Sequence, residues 1–169
     1  MIKKIAILAA DGYEDMELWY PRFRLLEAGF DAVIAAADLR GRASKHGYMT
    51  DVHLTTANLR PGDYAAVIIP GGIKGAENIR MDPAAVRFVR RMHDEGKVVA
   101  SICHGAWVLI SAAIVKGKKL TCYEGMKDDL LAAGALYRDA EVLSDGNLIS
   151  SRKPADLPAF MKEILKRLT

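Results

Sequence analysis

The sequence has few of the features that define several common protein classes. It contains only two cysteines, which are too few for a disulfide framework. Its apolar runs fall short of the roughly 18 residues that suggest a membrane span. The apolar N-terminal run passes directly into acidic residues, unlike a signal peptide. These absences predict a cytoplasmic protein that does not enter a membrane.

Fingerprints of metal, nucleotide and nucleic-acid sites are also missing. None of the four histidines stands at zinc-site spacing from a cysteine or a glutamate. The Gly71-Gly72 pair lacks the spacing of a dinucleotide- or phosphate-binding loop, which disfavours a nucleotide or flavin protein. The net charge of +3 is mild and the basic residues are scattered, which disfavours nucleic acid as a partner. We therefore expect no metal, no cofactor and no nucleic-acid surface.

Short apolar runs alternate with helical periods along the 169-residue chain, a length that fits one domain. Buried strands are predicted at residues 4–10, 31–37, 65–69 and 119–123, and in the apolar run before Cys103. Helices are predicted at residues 82–95, 126–133 and 156–168. Residues 48–56 indicate an extended excursion or a short antiparallel pair. Asp145-Gly146, between residues 140–144 and 147–151, is typical of a β-hairpin.

The segment GYEDMELWYPRFRLLEAG, after the first strand, has apolar residues at helical intervals. Pro21 interrupts it. Because a proline removes one intrahelical hydrogen bond, the helix is predicted to bend or restart just after Glu17. The acids Glu14 and Asp15 suit the positive end of a helix. Glu17, flanked by apolar residues, is not explained in that way.

Strands that alternate with helices predict a mainly parallel sheet with helices on both faces. In such sheets the functional crevice lies at the carboxyl ends of the strands. Asp11-Gly12, Gly71-Gly72 and Cys103 each follow a predicted strand. We expect these residues to meet at that edge.

The stretch VVASICHGAWVLI indicates a strand, a sharp turn and a helix around Cys103. A side chain at such a turn is lifted out of the sheet, near the unpaired N–H groups that begin the following helix. The thiol of Cys103 is therefore predicted to lose its proton easily and to act as a nucleophile. Cys122 lies within a predicted strand, which indicates a residue of the core.

Motifs spread along the chain resemble the ThiJ/PfpI superfamily, most closely its PfpI-type intracellular protease branch. They are, in the family's order, GYEDMELWYP, SKHGY, PGG after a buried strand, ASICHG and DGNLISSRKPADL. The resemblance covers nearly the whole chain, taken as one domain over residues 1–169. It implies a flavodoxin-like three-layer α/β sandwich related to class I glutamine amidotransferase domains. It also implies a homodimer or a hexamer built from three dimers.

The same resemblance assigns roles to residues around the thiol. Cys103 matches the nucleophile, and His104 matches its base or electrostatic partner. Glu17 matches the acid that hydrogen-bonds the thiol, and a glutamate in an apolar crevice tends to keep its proton. Gly71 and Gly72 match the amides that hold an oxyanion, together with the backbone after the cysteine.

Three further positions follow from the resemblance. Glu77 is the counterpart of a glutamate that reaches the site from a neighbouring subunit and completes a Cys-His-Glu triad. Tyr123 resembles a tyrosine of the pocket. Trp107 stands where a smaller residue is expected, which predicts a narrowed or repacked pocket.

These residues predict a cofactor-independent cysteine hydrolase whose thiolate attacks a carbonyl carbon. Peptide bonds fit this chemistry, and so do α-oxoaldehydes such as methylglyoxal and their glycation adducts. Protease, glyoxalase III and deglycase activities therefore remain open. An alternative is a redox-responsive stress or chaperone protein whose Cys103 is oxidised to sulfenic and then sulfinic acid.

Overall fold

The computed structural model describes residues 3–169. The strands are β1 (Lys4–Leu8), β2 (Asp31–Ala36), β3 (Arg42–Ala43), β4 (Met49–Thr50), β5 (Leu54–Thr55), β6 (Tyr64–Ile69), β7 (Val98–Ile102), β8 (Lys119–Leu120), β9 (Leu136–Tyr137), β10 (Val142–Asp145) and β11 (Leu148–Ser151). The helices are α1 (Asp15–Glu27), α2 (Ile73–Arg80), α3 (Pro83–Asp94), α4 (Ala106–Ser111), α5 (Lys127–Ala132) and α6 (Leu157–Leu168).

Seven of the strands form one sheet in the order β10-β11-β7-β6-β1-β2-β5. All neighbours in it are parallel except β10 and β11, which form the antiparallel hairpin predicted around Asp145-Gly146. The mainly parallel sheet predicted from the alternation of strands and helices is therefore confirmed. Helix α1 connects β1 to β2, and helices α2 and α3 connect β6 to β7, since a short turn cannot join parallel neighbours.

Both faces of the sheet are buried, as the continuous apolar runs predict. In β1, Ala6 and Leu8 belong to one apolar cluster, with side chains of α3 and α4. Ile5 and Ile7 belong to the other, with side chains of α1 and α6. The result is three layers, helix–sheet–helix, as in a flavodoxin-like sandwich. This layering brings the carboxyl ends of β1, β6 and β7 to one edge.

Two short ribbons lie outside the main sheet. β3 pairs antiparallel with β4, which confirms the short antiparallel pair predicted after the second strand. β8 pairs with β9 over only two residues each, although a strand was predicted over residues 119–123. The chain leaves that ribbon early because the Thr121 N–H donates to Ser150 Oγ and the Tyr123 N–H donates to the Cys103 carbonyl.

Helix α1 runs without a break from Asp15 to Glu27, so the predicted restart after Glu17 is wrong. Pro21 is buried inside the helix, and the hydrogen bond that it cannot make falls on the carbonyl of Glu17. Packing of Leu18 and Leu25 in the core holds the helix together across that missing bond. Across residues 3–169, no helix has both the length and the apolar character to cross a bilayer.

Candidate active site

The turn after β7 has an unusual backbone at Cys103. Its φ of 59° lies in the left-handed region, which is rare for residues other than glycine. A 3-10 turn over Cys103–Gly105 follows, and α4 begins at Ala106. A Cβ on Gly105 would collide with the carbonyl of Ile69 at the end of β6. The sharp turn predicted from VVASICHG is therefore present, and close packing against β6 holds it in shape.

The Cys103 side chain is buried and faces polar groups. Its Sγ lies 3.3 Å from His104 Nδ1. The backbone N–H groups of His104 and Gly72 also hydrogen-bond the sulfur and favour its ionised form. The structure thus brings Cys103, His104 and the end of β6 together, although adjacent residues at a turn need not point the same way.

Glu17 lies beside the thiol in the first turns of α1 and is fully buried. Its Oε2 accepts a hydrogen bond of 2.7 Å from the Gly71 N–H. Its Oε1 is buried without a well-aligned partner among residues 3–169. Burial raises the pKa of this carboxyl to about 8, and the hydrogen bonds with Gly71 and Cys103 oppose that rise. Glu17 therefore keeps its proton at neutral pH and can donate it towards the sulfur.

Gly71 cannot serve as the oxyanion donor that the resemblance implied, because its N–H is already donated to Glu17. This prediction is corrected. The amides that meet the sulfur are those of Gly72 and His104. Gly71 is needed for another reason. A Cβ there would lie 2.6 Å from Glu17 Oε2 and 2.7 Å from Cys103 Cβ, so only glycine lets the carboxyl and the thiol approach each other.

The thiol does not ionise as easily as its position at a turn predicts. Burial raises the pKa of Cys103 above its ordinary value, and the charge of an ionised Glu17 raises it further. The lowered pKa was predicted from the position of Cys103 before a helix. Burial of the side chain, which raises the pKa, is a property of the folded chain. Because Glu17 is protonated up to a pKa of about 8, its repulsion is absent at neutral pH. The protonated acid then stabilises a thiolate instead.

His104 has a free ring nitrogen beside the thiol but is a weakened base. Burial lowers the pKa of its imidazole, the charge of Asp129 opposes that change, and the charge of Lys45 adds to it. The ring is therefore neutral at pH 7, with Nδ1 directed at the sulfur. It stacks on Tyr123 with ring centroids 4.8 Å apart, and Trp107 packs edge-on at 5.0 Å. These contacts fix the orientation of the imidazole.

Tyr123 lines the cavity at the thiol, whereas Trp107 lies behind His104. The Trp107 Nε1 donates a 2.8 Å hydrogen bond to Asp129. Trp107 is not part of the cavity lining, so it supports the imidazole and does not narrow the pocket. Cys122 is fully buried in the core, as predicted.

Glu77 is the one predicted catalytic residue that lies away from the thiol. It is exposed on α2 and forms an ion pair of 3.3 Å with Lys74. It does not line the cavity. Within one chain, therefore, Glu77 does not meet His104.

The cavity at the thiol has a volume of about 700 Å³. The sequence analysis assigned no role to several of its polar side chains, although Ser44, Lys45 and Lys153 stand in the SKHGY and DGNLISSRKPADL motifs. Its lining consists of Gly12, Glu14, Glu17, Ser44, Lys45, Gly72, Ile73, Lys74, Cys103, His104, Tyr123, Lys153 and Pro154.

A second cavity, of about 260 Å³, lies beside the ends of β1 and β2 and away from the thiol. Its charged side chains already pair with one another, as in the contacts of Arg40 with Asp11 and of Arg42 with Asp38. We assign the predicted chemistry to the larger cavity because it holds Cys103, the predicted nucleophile.

The fold also brings together Glu14, Asp15 and His46, whose spacing in the sequence does not suggest a metal site. One ligand atom of each lies within 4.8 Å of the others. These groups are already engaged: His46 and Ser44 contact Asp15, and Lys45 contacts Glu14.

A model of the DJ-1/PfpI family matches residues 3–167 of this chain. Deglycase PfpI of Pyrococcus furiosus is 45% identical over 165 residues, which cover 98% of this chain and 99% of that protein. Putative cysteine protease YraA of Bacillus subtilis is 38% identical over 171 residues, with 99% of each chain covered. A solved two-domain protein of Anabaena variabilis, with DJ-1/ThiJ/PfpI-like and ferritin-like domains, has a TM-score of 0.96 and 39% identity. The match covers 98% of this chain and 48% of that one, so this chain spans about half of its length.

Proposed function

Because the chain belongs to the DJ-1/PfpI family, we propose that it is a cysteine-dependent hydrolase of the PfpI type that acts on carbonyl compounds. The observation that carries this proposal is the meeting of Cys103, His104 and a protonated Glu17 at a left-handed turn beside an open cavity. The names of relatives, deglycase and putative cysteine protease, support the same chemistry.

In the proposed mechanism, Cys103 transfers its proton to His104 Nδ1 as the sulfur adds to the substrate's carbonyl carbon. The negative charge moves to the carbonyl oxygen. The N–H groups of Gly72 and His104 lie close to the sulfur and are placed to stabilise that oxygen. Glu17 holds a proton beside the same atoms and can supply it to the oxyanion. No step uses a metal or an organic cofactor.

Two substrate classes follow from this mechanism. With a peptide, the thiolate displaces an amine, and water then hydrolyses the thioester. With methylglyoxal, the sulfur adds to the aldehyde, a hydrogen moves from that carbon to the neighbouring carbonyl carbon, and water releases lactate. Four of the related proteins are deglycases of Pyrococcus or Thermococcus. We therefore place aldehydes and glycation adducts first and peptides second.

We also propose that the active form is a homodimer or a hexamer of three dimers, in which Glu77 of one subunit reaches His104 of another. Two observations support this. Glu77 is exposed and does not meet His104 of its own chain. Exposed apolar residues lie at both ends of its helix: Ile73 begins α2 and Met81 follows its last residue, and they are 64% and 73% exposed.

The proposed function is tested by giving the purified protein methylglyoxal and a labelled unfolded peptide in parallel reactions. We expect consumption of methylglyoxal above that of the Cys103→Ala variant. If neither substrate is consumed above that control, the hydrolase proposal fails. Oxidation of Cys103 by mild peroxide, measured by mass spectrometry, would then favour the redox-responsive alternative.

The role of Glu77 is tested separately. Light scattering gives the oligomeric state, and a strict monomer would contradict a contribution from a second subunit. In an oligomer, Glu77→Gln should lower kcat by about tenfold or more, since it removes a charge that stabilises the imidazolium. Glu95→Gln removes another exposed glutamate, one that is not part of the cavity lining, and is the matched control.

A further inference from the structure

The lining of the cavity at the thiol is positively charged. It contains the three lysines Lys45, Lys74 and Lys153 and only two acids, Glu14 and Glu17. Glu17 is neutral at pH 7 for the reasons given above. Three positive charges therefore stand against the single negative charge of Glu14.

The lysines differ in how far their charge is compensated. Lys45 is 2.9 Å from Glu14, so this pair is nearly neutral. Lys74 pairs with Glu77 of its own chain at 3.3 Å, and in the proposed oligomer a Glu77 from another subunit would add one negative charge beside His104. Lys153 is exposed and has no ion-pair partner in the part of the chain that the structure describes. Lys153 is thus the lysine whose charge is most available to a ligand.

Backbone groups add to this positive character. Helix α2 begins at the cavity, and Gly72, Ile73 and Lys74 of its first turn all line it. No side chain caps this helix start. The Gly75 N–H donates to the Gly12 carbonyl, so the N–H groups of Ile73 and Lys74 and the positive end of the helix dipole are left to favour an anion. Glu17 also lines the cavity, and its buried Oε1 has no well-aligned partner among residues 3–169.

We propose that this cavity selects carbonyl substrates that carry an anionic group, and that Lys153 is a specificity-determining residue for them. This inference rests on the proposed hydrolase function. An exposed charge pair contributes roughly 0.2–1 kcal/mol, which corresponds to about a one-and-a-half- to fivefold preference. The selectivity is therefore expected to be modest and sensitive to salt.

The test compares two α-oxoaldehydes of five carbons, 4,5-dioxovalerate and 2-oxopentanal. They differ only in that a carboxylate replaces a methyl group far from the aldehyde. Each consumes one water: the sulfur adds to the aldehyde, a hydrogen moves to the neighbouring carbonyl carbon, and hydrolysis releases the 2-hydroxy acid and the thiol. The quantity measured is the ratio of kcat/KM for 4,5-dioxovalerate to that for 2-oxopentanal.

We expect this ratio to exceed one at low salt, to fall as sodium chloride is raised, and to fall about one-and-a-half- to fivefold in Lys153→Gln. Lys153→Arg keeps the charge and should retain the ratio. Lys162→Gln is the matched control, because Lys162 is an exposed lysine of α6 outside the lining. It should leave the ratio unchanged.

The inference is overturned if 2-oxopentanal is consumed but the ratio is one or less, or if Lys153→Gln and Lys162→Gln change it equally. Failure of the proposed function itself looks different. In that case neither aldehyde is consumed faster than by Cys103→Ala.

Discussion

The two cysteines of this chain differ in their neighbours and hardly at all in their depth. Cys103 is 8% exposed and Cys122 is 0% exposed. Burial raises the pKa of both thiols, to about 12 in the case of Cys122. Cys122 lies in an apolar cluster, whereas an imidazole, a carboxyl and two backbone N–H groups meet Cys103. Reactivity at this site is therefore set by the groups around the sulfur, since exposure does not distinguish the two thiols.

The largest expected effect is a difference in activity between the variants of the two cysteines. Cys103→Ala should lower turnover of the preferred carbonyl substrate about a thousandfold or more, because it removes the nucleophile. Cys122→Ala should retain turnover within about twofold. Steady-state assays on both variants, with circular dichroism to confirm folding, make the comparison. Equal losses in the two variants would show that the chemistry does not depend on Cys103.

The next largest effect is expected at Gly71, whose missing side chain lets Glu17 and His104 lie close to Cys103. Gly71→Ala places a Cβ 2.6 Å from Glu17 Oε2 and 2.9 Å from the backbone nitrogen of His104, so the Glu17 side chain or the turn at Cys103 must move. A displacement of about 1 Å at a catalytic centre costs on the order of a hundredfold in rate. Gly62→Ala is the control, because nothing lies within 4 Å of its Cβ. Wild-type kinetics in Gly71→Ala would disprove the close contact.

Glu17, beside Cys103, is expected to make the free energy of unfolding depend on pH. Its pKa is raised from 4.5 to about 8 in the folded protein, so the folded state binds more protons than the unfolded state between these values. Stability contributed by the protonated form is present below pH 4.5 and is lost as pH rises through 8. This decline is on the order of 3 kcal/mol between pH 5 and 8.5 in urea unfolding, and the lowered pKa values of His93 and His104 act against it below pH 6.5.

Glu17→Gln should abolish most of this decline, because glutamine keeps a neutral hydrogen-bond donor and cannot ionise. Iodoacetamide should also modify Cys103 faster in this variant than in wild type above pH 8, where the wild-type acid is charged and opposes the thiolate. A wild-type stability that rises with pH over this range would contradict the assignment. Glu95→Gln, at an exposed position just after α3, serves as the control for charge.

The smallest effect concerns Cys122 again. Cys122→Ala removes a buried sulfur from a packed cluster and should lower the free energy of unfolding by about 1 kcal/mol. Cys122→Ser should cost more, since the cluster is apolar and a hydroxyl needs a partner there. Thermal denaturation of the two variants gives the order. If Cys122→Ser is the more stable variant, the side chain is not in an apolar setting.

Local sequence patterns predicted much of the fold and the position of Cys103, the predicted nucleophile. The hairpin at Asp145-Gly146 and the turn at Cys103 are encoded by a few adjacent residues, and both are present. Helix α2 was not predicted, because a glycine in its middle and its charged residues weaken the helical signal. Gly75 is tolerated there since its missing Cβ lets the helix rest on the backbone of Tyr13. That contact joins distant parts of the chain.

The candidate site also depends on contacts between distant parts of the chain, which local motifs do not predict. The family motifs named Cys103, His104 and Glu17, but the commitment of the Gly71 N–H to Glu17 depends on where α1 lies against β6. The pKa of Cys103 depends on the depth of burial, which no local pattern records. Lys153 follows the last strand by two residues, and only the folded chain shows that it lines the cavity.

The left-handed backbone at Cys103 is expected to make the turn at the thiol less resistant to heat than the rest of the fold. A non-glycine residue in that region costs on the order of 1–3 kcal/mol, and the surrounding contacts must supply it. Those contacts are close ones, chiefly Gly105 against the Ile69 carbonyl and Gly71 against the Cys103 Cβ and the His104 backbone nitrogen. The strands are packed in two large apolar clusters and carry no such backbone strain. On warming, the turn should therefore relax first, so that the molecule stops working while most of it is still folded.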